Sequence, residues 1–211
     1  MMYNENSNGG KFMSTKIITV SRQFGSGGRI IAQQVAEKLG WKFYDRELIE
    51  KIAEKSGLAK EFIEEQGEYA SSGQNLVYSV PAGFGSFSAG QSVFDKLYVM
   101  QYNIIKELAE KEPCVIVGRC ADYVLRDRKD VFNIFVFADM DYRMKRAEEV
   151  YKIQAKDMKK YLEDRDKKRK LYYKYNTDRT WGDFANYDLC LKSSSIGLET
   201  CAEIIEKAVK H

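Results

Sequence analysis

The stretch that most constrains this chain is Ser21-Arg22-Gln23-Phe24-Gly25-Ser26-Gly27-Gly28-Arg29, set between the apolar run Ile17-Ile18-Thr19-Val20 and an amphipathic segment over residues 30–39. A buried strand that runs through a glycine turn straight into a helix aims the helix's first N–H groups at one point, where a phosphate can sit. Glycine suits such a turn because the backbone must take left-handed angles and approach the ligand closely. Gly25, Ser26, Gly27 and Gly28 therefore read as an anion nest, with Arg22 and Arg29 flanking it as further phosphate ligands. The plainer alternative is a turn that only closes a strand onto a helix.

The familiar P-loop reads G-x-x-x-x-G-K-S/T, its lysine reaching the outer phosphates and its hydroxyl holding magnesium. With Gly27 in the place of the second glycine, Arg22 stands where the first is expected, Gly28 replaces the lysine and Arg29 the hydroxyl. Two guanidiniums beside the nest can supply the missing charge, since arginine matches phosphate oxygens in a bidentate way.

The rest of the chain alternates strand and helix patterns. Residues 41–45 alternate as a short strand after Gly40, and Leu48, Ile49 and Ile52 form a helical stripe ending near Gly57; a further short helix is expected over 59–65. Residues 66–91 turn to Gly, Ser, Ala and aromatics and read as a mobile flap or a solvated linker. Val93, Leu97, Met100, Ile104 and Leu108 predict a helix over 92–111. Buried strands are expected at 114–117 and 131–137, a helix at 141–151, a last strand at 187–191 and a closing helix at 198–210. This order predicts an α/β fold, a parallel sheet with helices on both faces, whose ligands bind at the carboxyl ends of the strands. The glycine turn, Asp45, Gly118-Arg119 and Ala138-Asp139 would meet on that edge.

At 211 residues the chain accommodates one such domain over 16–211, with residues 1–15 as a disordered tail and Met13 as an alternative start. A net charge of +3 is too small to argue for a nucleic-acid or membrane partner. The four cysteines form no C-x-x-C pair and point to a reducing cytoplasm; the single histidine, His211, excludes histidine catalysis and histidine metal sites. No apolar run reaches the length of a membrane span. No interface signal decides between a monomer and a homodimer.

Residues 143–174 carry thirteen Lys or Arg against six Asp or Glu. Such a run is a solvated helix face, a surface for a polyanion, or a mobile lid whose arginines clamp phosphates. Within it Arg165-Asp166-Lys167-Lys168-Arg169 puts Asp166 and Arg169 on one helical face.

With these residues the chain resembles the cytidylate kinases, and more closely the cytidylate kinase-like group, over nearly all of residues 17–209. The marks are Ser21-Arg22-x-x-Gly25-Ser26-Gly27-Gly28-Arg29, Phe43-Tyr44-Asp45-Arg46, Gly118-Arg119, Ala138-Asp139-x-Asp141-x-Arg143-x-x-Arg146, Arg165-Asp166-x-x-Arg169, and Trp181-Gly182 before Asn186-Tyr187-Asp188-Leu189. The resemblance implies a P-loop fold with a monophosphate-binding insertion over about 46–110 and a helical lid over about 143–180. It also implies transfer of the ATP γ-phosphoryl group to CMP, dCMP or another small acceptor with Mg2+. Arg29, Arg119, Arg165 and Arg169 would carry the catalytic charge, and Asp45, Arg46, Arg119 and Asp166 would bind the acceptor; no metal ligand is assigned. The chain departs from the family pattern at Cys120, Leu162 and Val117, which stand for an expected aspartate, arginine and acid, and at residues 46–50, which replace an S/T-G-A-x-Y-R segment. A binding module that kept the fold and lost the transfer chemistry is the competing expectation. Weakest of the three is a nucleic-acid protein stacking bases on Tyr151, Tyr161, Tyr172 and Tyr173.

Overall fold

The computed structural model describes residues 15–57, 60, 63 and 93–210, with the side chains of Arg46 and Val93 outside that description. The expected flap over 66–91 and nearly all of the expected tail lie outside the described residues, and of the expected 59–65 helix only Lys60 and Ile63 are described, both helical.

Strand β1 (Ile17–Arg22) lies at the centre of a five-stranded sheet. Its neighbours are β3 (Cys114–Val117) on one side and β4 (Val131–Phe137) on the other, flanked by β2 (Lys42–Tyr44) and β5 (Leu189–Lys192). All pairings are parallel, and Val20 stands level with both Val117 and Ile134. A parallel sheet is covered on both faces, so its strands read as unbroken apolar runs. Ile17, Cys114 and Ile116 face one helical layer, built by α2 (Arg46–Ser56) and α3 (Val93–Lys111); the expected stripe Leu48, Ile49 and Ile52 is buried there. Ile18, Val20, Val115 and Val117 face the other, built by α1 (Gly28–Leu39) and α8 (Leu198–Lys210). Ile17, Ile18 and Val20 are at most 1% exposed, a burial that contributes about 2 kcal/mol each.

The loop after β1 leads to α1 on one face. The loop after β3 leads through a four-residue helix, α4 (Ala121–Val124), on the other. The crevice between the carboxyl ends of β1 and β3 is thus a topological switch point, where ligands bind in open α/β sheets. After β4 come α5 (Met140–Glu149) and the long α6 (Met158–Thr177). A third cluster, Cys120, Phe135, Tyr172, Tyr173 and Trp181, seats the end of α6 against the sheet edge. The short helix α7 (Ser193–Ile196) joins β5 to α8.

Strand β4 and helix α8 have the predicted bounds, while β5 starts later than the expected 187. Asp188 gives its N–H to the Asn133 carbonyl and takes the Asn133 N–H on its carboxylate, so a side chain occupies the first rung of the ladder. Strand β2 is shorter than the expected 41–45 because Asp45 already begins α2 as its N-cap.

Candidate functional site

Between Arg22 and α1 the backbone is fixed from several directions. The Gln23 N–H donates to the Val136 carbonyl (3.0 Å), and its side-chain oxygen accepts the Ala138 N–H (3.1 Å), tying the turn to the end of β4. Ser26 is fully buried; its hydroxyl donates to the Gln23 carbonyl (2.9 Å) and accepts the Gly28 N–H (3.3 Å). From the start of α7, just after β5, the Ser193 hydroxyl donates to the Ser26 carbonyl (2.6 Å). Among the described residues the N–H groups of Gly25, Gly27 and Arg29 meet no protein acceptor. Buried backbone donors are nearly always paired, so these three are available to an anion.

Glycine is required here for two separate reasons. Gly25 and Gly27 have φ of +82° and +79°, and a Cβ on Gly25 would lie 2.8 Å from the Arg143 carbonyl oxygen. Gly28 has helical geometry, yet a Cβ on it would lie 2.6 Å from the Arg22 Cβ and 3.1 Å from the Val136 Cβ. The position where a P-loop carries its lysine therefore points into the sheet, and its side chain is excluded by packing.

Positive charge comes from elsewhere. Arg29 is ion-paired to Asp45, which joins the first turn of α1 to the edge beyond β2. Arg143, 4% exposed, donates from Nε to the Phe24 carbonyl (2.7 Å) and from Nη2 to Asp166. Asp166 also accepts the Phe24 N–H (2.8 Å), and Arg169 donates to the Arg22 carbonyl (2.9 Å). The Phe24 ring meets Tyr151 and Tyr161 edge-on, with the guanidinium carbons of Arg165 and Arg169 5.8 and 5.5 Å from its centre. Arg165 also donates to the Tyr161 hydroxyl (2.9 Å).

Arg146 differs from these. Its Nε and Nη2 atoms are buried and have no hydrogen-bond partner among the described residues, while its guanidinium carbon lies 5.7 and 5.9 Å from the rings of Tyr142 and Tyr151. The same carbon lies 3.5 Å from where a Gly27 Cβ would be. A half-buried guanidinium at the nest with two buried, unused donor nitrogens is the arrangement an anion would complete.

Of the sequence-predicted site residues, Arg22, Gly25, Ser26, Gly27, Gly28, Arg29, Asp45, Asp166 and Arg169 are linked around the turn by the contacts above. Arg119 faces another way. It is 6% exposed, donates to the Ile63 carbonyl (3.0 Å) and offers its own carbonyl to Gln101 (3.3 Å), so it ties Ile63 to the end of β3. Of Arg46 only the backbone, at the start of α2, is described. Phe24, Arg143 and Arg146 escaped the site reading. The two arginines stand in the Asp139-x-Asp141-x-Arg143-x-x-Arg146 run, a usable signal; nothing in the sequence marked Phe24.

Beside the turn, at the β1/β3 crevice, a cavity of about 20 Å³ is lined by Ser21, Arg22, Arg119, Arg169, Tyr172 and Trp181 among others. That is space for a single water molecule. Asp139, exposed, pairs with Lys192 (2.7 Å) and accepts from Ser194 (3.0 Å), which hold its carboxyl below the usual carboxylate range. Among the described residues no three Cys, Asp, Glu or His side chains converge as for a metal ion. With Ser26 used within the turn, Asp45 paired to Arg29 and Val117 at the end of β3, this donor set does not fit a protein-held magnesium. Magnesium that arrives with ATP is bound chiefly by phosphates and water. No described helix is long and apolar enough to cross a membrane.

Comparison with known proteins places the family and the fold. A cytidylate kinase from Archaeoglobus fulgidus is 29% identical over 200 residues, covering 92% of this chain and 94% of its own. An uncharacterised Eubacterium ventriosum protein of known structure superposes with a TM-score of 0.69 at 27% identity, covering 92% of this chain and 98% of its own. Acinetobacter baumannii shikimate kinase, solved with shikimate, gives 0.55 at 15% identity with 94% of both chains covered, a likeness of fold. The family described as cytidylate kinase-like is matched over residues 17–195, and this chain belongs to it.

Proposed function

We propose that this chain is a nucleotide kinase that moves the γ-phosphoryl group of ATP to a nucleoside monophosphate, CMP or dCMP in the first place. The observation that carries the reading is the turn over residues 23–29, with three N–H groups and two Arg146 nitrogens that meet no acceptor among the described residues, and Arg29 at its helix. The family membership and the archaeal cytidylate kinase support the same choice.

In the transfer, the bond from the γ-phosphorus to the β–γ bridging oxygen breaks. A phosphate oxygen of the acceptor bonds to that phosphorus, and ADP and a nucleoside diphosphate result. The attacking oxygen is already anionic, so no proton has to be removed and no histidine is needed. Catalysis of this kind relies on position and on charge stabilisation. The amides of Gly25, Gly27 and Arg29 hold the ATP phosphates, while Arg146 and Arg29 offset their charge. Asp45 and Arg46, at the carboxyl end of β2, would bind the acceptor.

Diphosphate formation from ATP, Mg2+ and a panel of nucleoside monophosphates tests this. Turnover with CMP or dCMP supports it, and absence of both ATP binding and turnover refutes it. A second reading, a nucleotide-binding sensor, is favoured by the packing that excludes a side chain at Gly28. Saturable ATP binding with no turnover of any acceptor selects it.

A further inference from the structure

We infer that Asp166 is a positioning residue for the phosphate turn, and that α6 is a fixed wall of the site rather than a lid that swings away. Both polar groups of the Phe24 backbone are taken up: the N–H donates to Asp166 Oδ1 (2.8 Å) and the carbonyl accepts from Arg143 Nε (2.7 Å). Arg143 in turn donates to Asp166 Oδ2, which closes a circuit of one residue's backbone and two side chains. The Arg143, Asp166 and Arg169 side chains are only 4%, 9% and 7% exposed, and Arg169 adds a bond to the carbonyl at the other end of the turn.

Two consequences follow from the bonding. First, the Asp166 carboxylate has both oxygens engaged in the interior, which leaves it no free face for an acceptor's base. It differs in this from what the Arg165-Asp166-x-x-Arg169 pattern implies. Second, swinging α6 away would break three hydrogen bonds that involve charged groups and part the buried Arg143 guanidinium from the Asp166 carboxylate, which is far costlier than parting exposed ion pairs. Gly25, the residue after Phe24, lies against the Arg143 backbone. Bracing Phe24 therefore sets the direction of the Gly25 and Gly27 N–H groups before any ligand arrives, and such preorganisation favours binding.

The nucleotide part of this inference rests on the kinase reading, whereas the bracing of the turn does not. Amide hydrogen exchange on the nucleotide-free protein tests the brace alone. The Phe24 amide and those of α6 should exchange within about tenfold of the β4 core; exchange about a thousandfold faster than β4 overturns the inference even if ATP never binds. With ATP bound to the wild type, α6 protection should change less than about threefold, and a gain of about a hundredfold overturns the fixed wall.

Asp166→Asn supplies the variant. It should speed exchange over residues 24–27 and weaken ATP about tenfold or more, while acceptor KM at saturating ATP changes less than about twofold. A shift confined to acceptor KM or to base preference, with ATP affinity intact, overturns it. If that variant does not fold, the two wild-type exchange measurements still decide.

Discussion

Restoring the P-loop lysine by Gly28→Lys should weaken this site, although the consensus suggests the opposite. The added Cβ would stand 2.6 Å from the Arg22 Cβ and 3.1 Å from the Val136 Cβ, both on strands with little room to give. Overpacking of this kind costs about 1–3 kcal/mol, and replacing glycine within a helix returns about 0.5–1 kcal/mol. The net loss, up to about 2.5 kcal/mol, corresponds to a Tm lower by up to about 10 °C in a domain of this size. Arg22 gives its carbonyl to Arg169, so pushing it aside also disturbs the turn, and ATP affinity should fall with stability. Thermal unfolding and calorimetric ATP titration of wild type, Gly28→Ala and Gly28→Lys separate the steric part from the charge. Unchanged Tm with tighter ATP binding in the lysine variant would refute the packing account.

Three further outcomes are expected. Arg146→Met should weaken ATP about tenfold or more, as loss of a charge-assisted contact does, with Tm within about 2 °C of wild type because two of its buried nitrogens have no protein partner; calorimetry and thermal melts check both. Asp122 is almost wholly buried with the Tyr173 hydroxyl 2.5 Å from its carboxylate, and burial raises its pKa, so the folded state holds its proton more tightly than the unfolded chain. Its contribution to stability is therefore present below its ordinary value near 3.8 and is lost as pH rises through the raised one; urea midpoints from acid to neutral pH should show Asp122→Asn gaining on wild type, and parallel curves would count against this. Arg119→Met leaves the Ile63 carbonyl without its donor and should destabilise by about 1–3 kcal/mol, with exchange rising near residues 60–63; an acceptor-binding role alone predicts no such loss.

The sheet was readable because its central strands are buried on both faces: Val131–Phe137 is nearly continuous in apolar residues and Leu198–Lys210 repeats them at helical spacing. The glycine turn was readable for a related reason, since Gly25 and Gly27 occupy backbone angles few other residues accept. Helix α6 was harder. Its inward face is made by Asp166, Arg169, Tyr172 and Tyr173 as much as by Leu162, so the run looks like a solvated or mobile basic segment although one face of it is buried. Periodicity put Asp166 and Arg169 on one face, but it carries no information about the Phe24 N–H that Asp166 meets from 142 residues away, or the Arg22 carbonyl that Arg169 meets from 147. Helix α4 was missed because it follows left-handed geometry at Arg119 and Cys120, residues with no general preference for it.

The bond from Ser193 to Ser26 spans 167 residues of chain. During synthesis the turn near the start emerges long before the residue that closes it, and its final shape waits for β5 to dock. Nascent polypeptides that stop short of the last crossover would thus display an incomplete cradle, so that affinity for nucleotide is acquired late, as the closing strand leaves the ribosome.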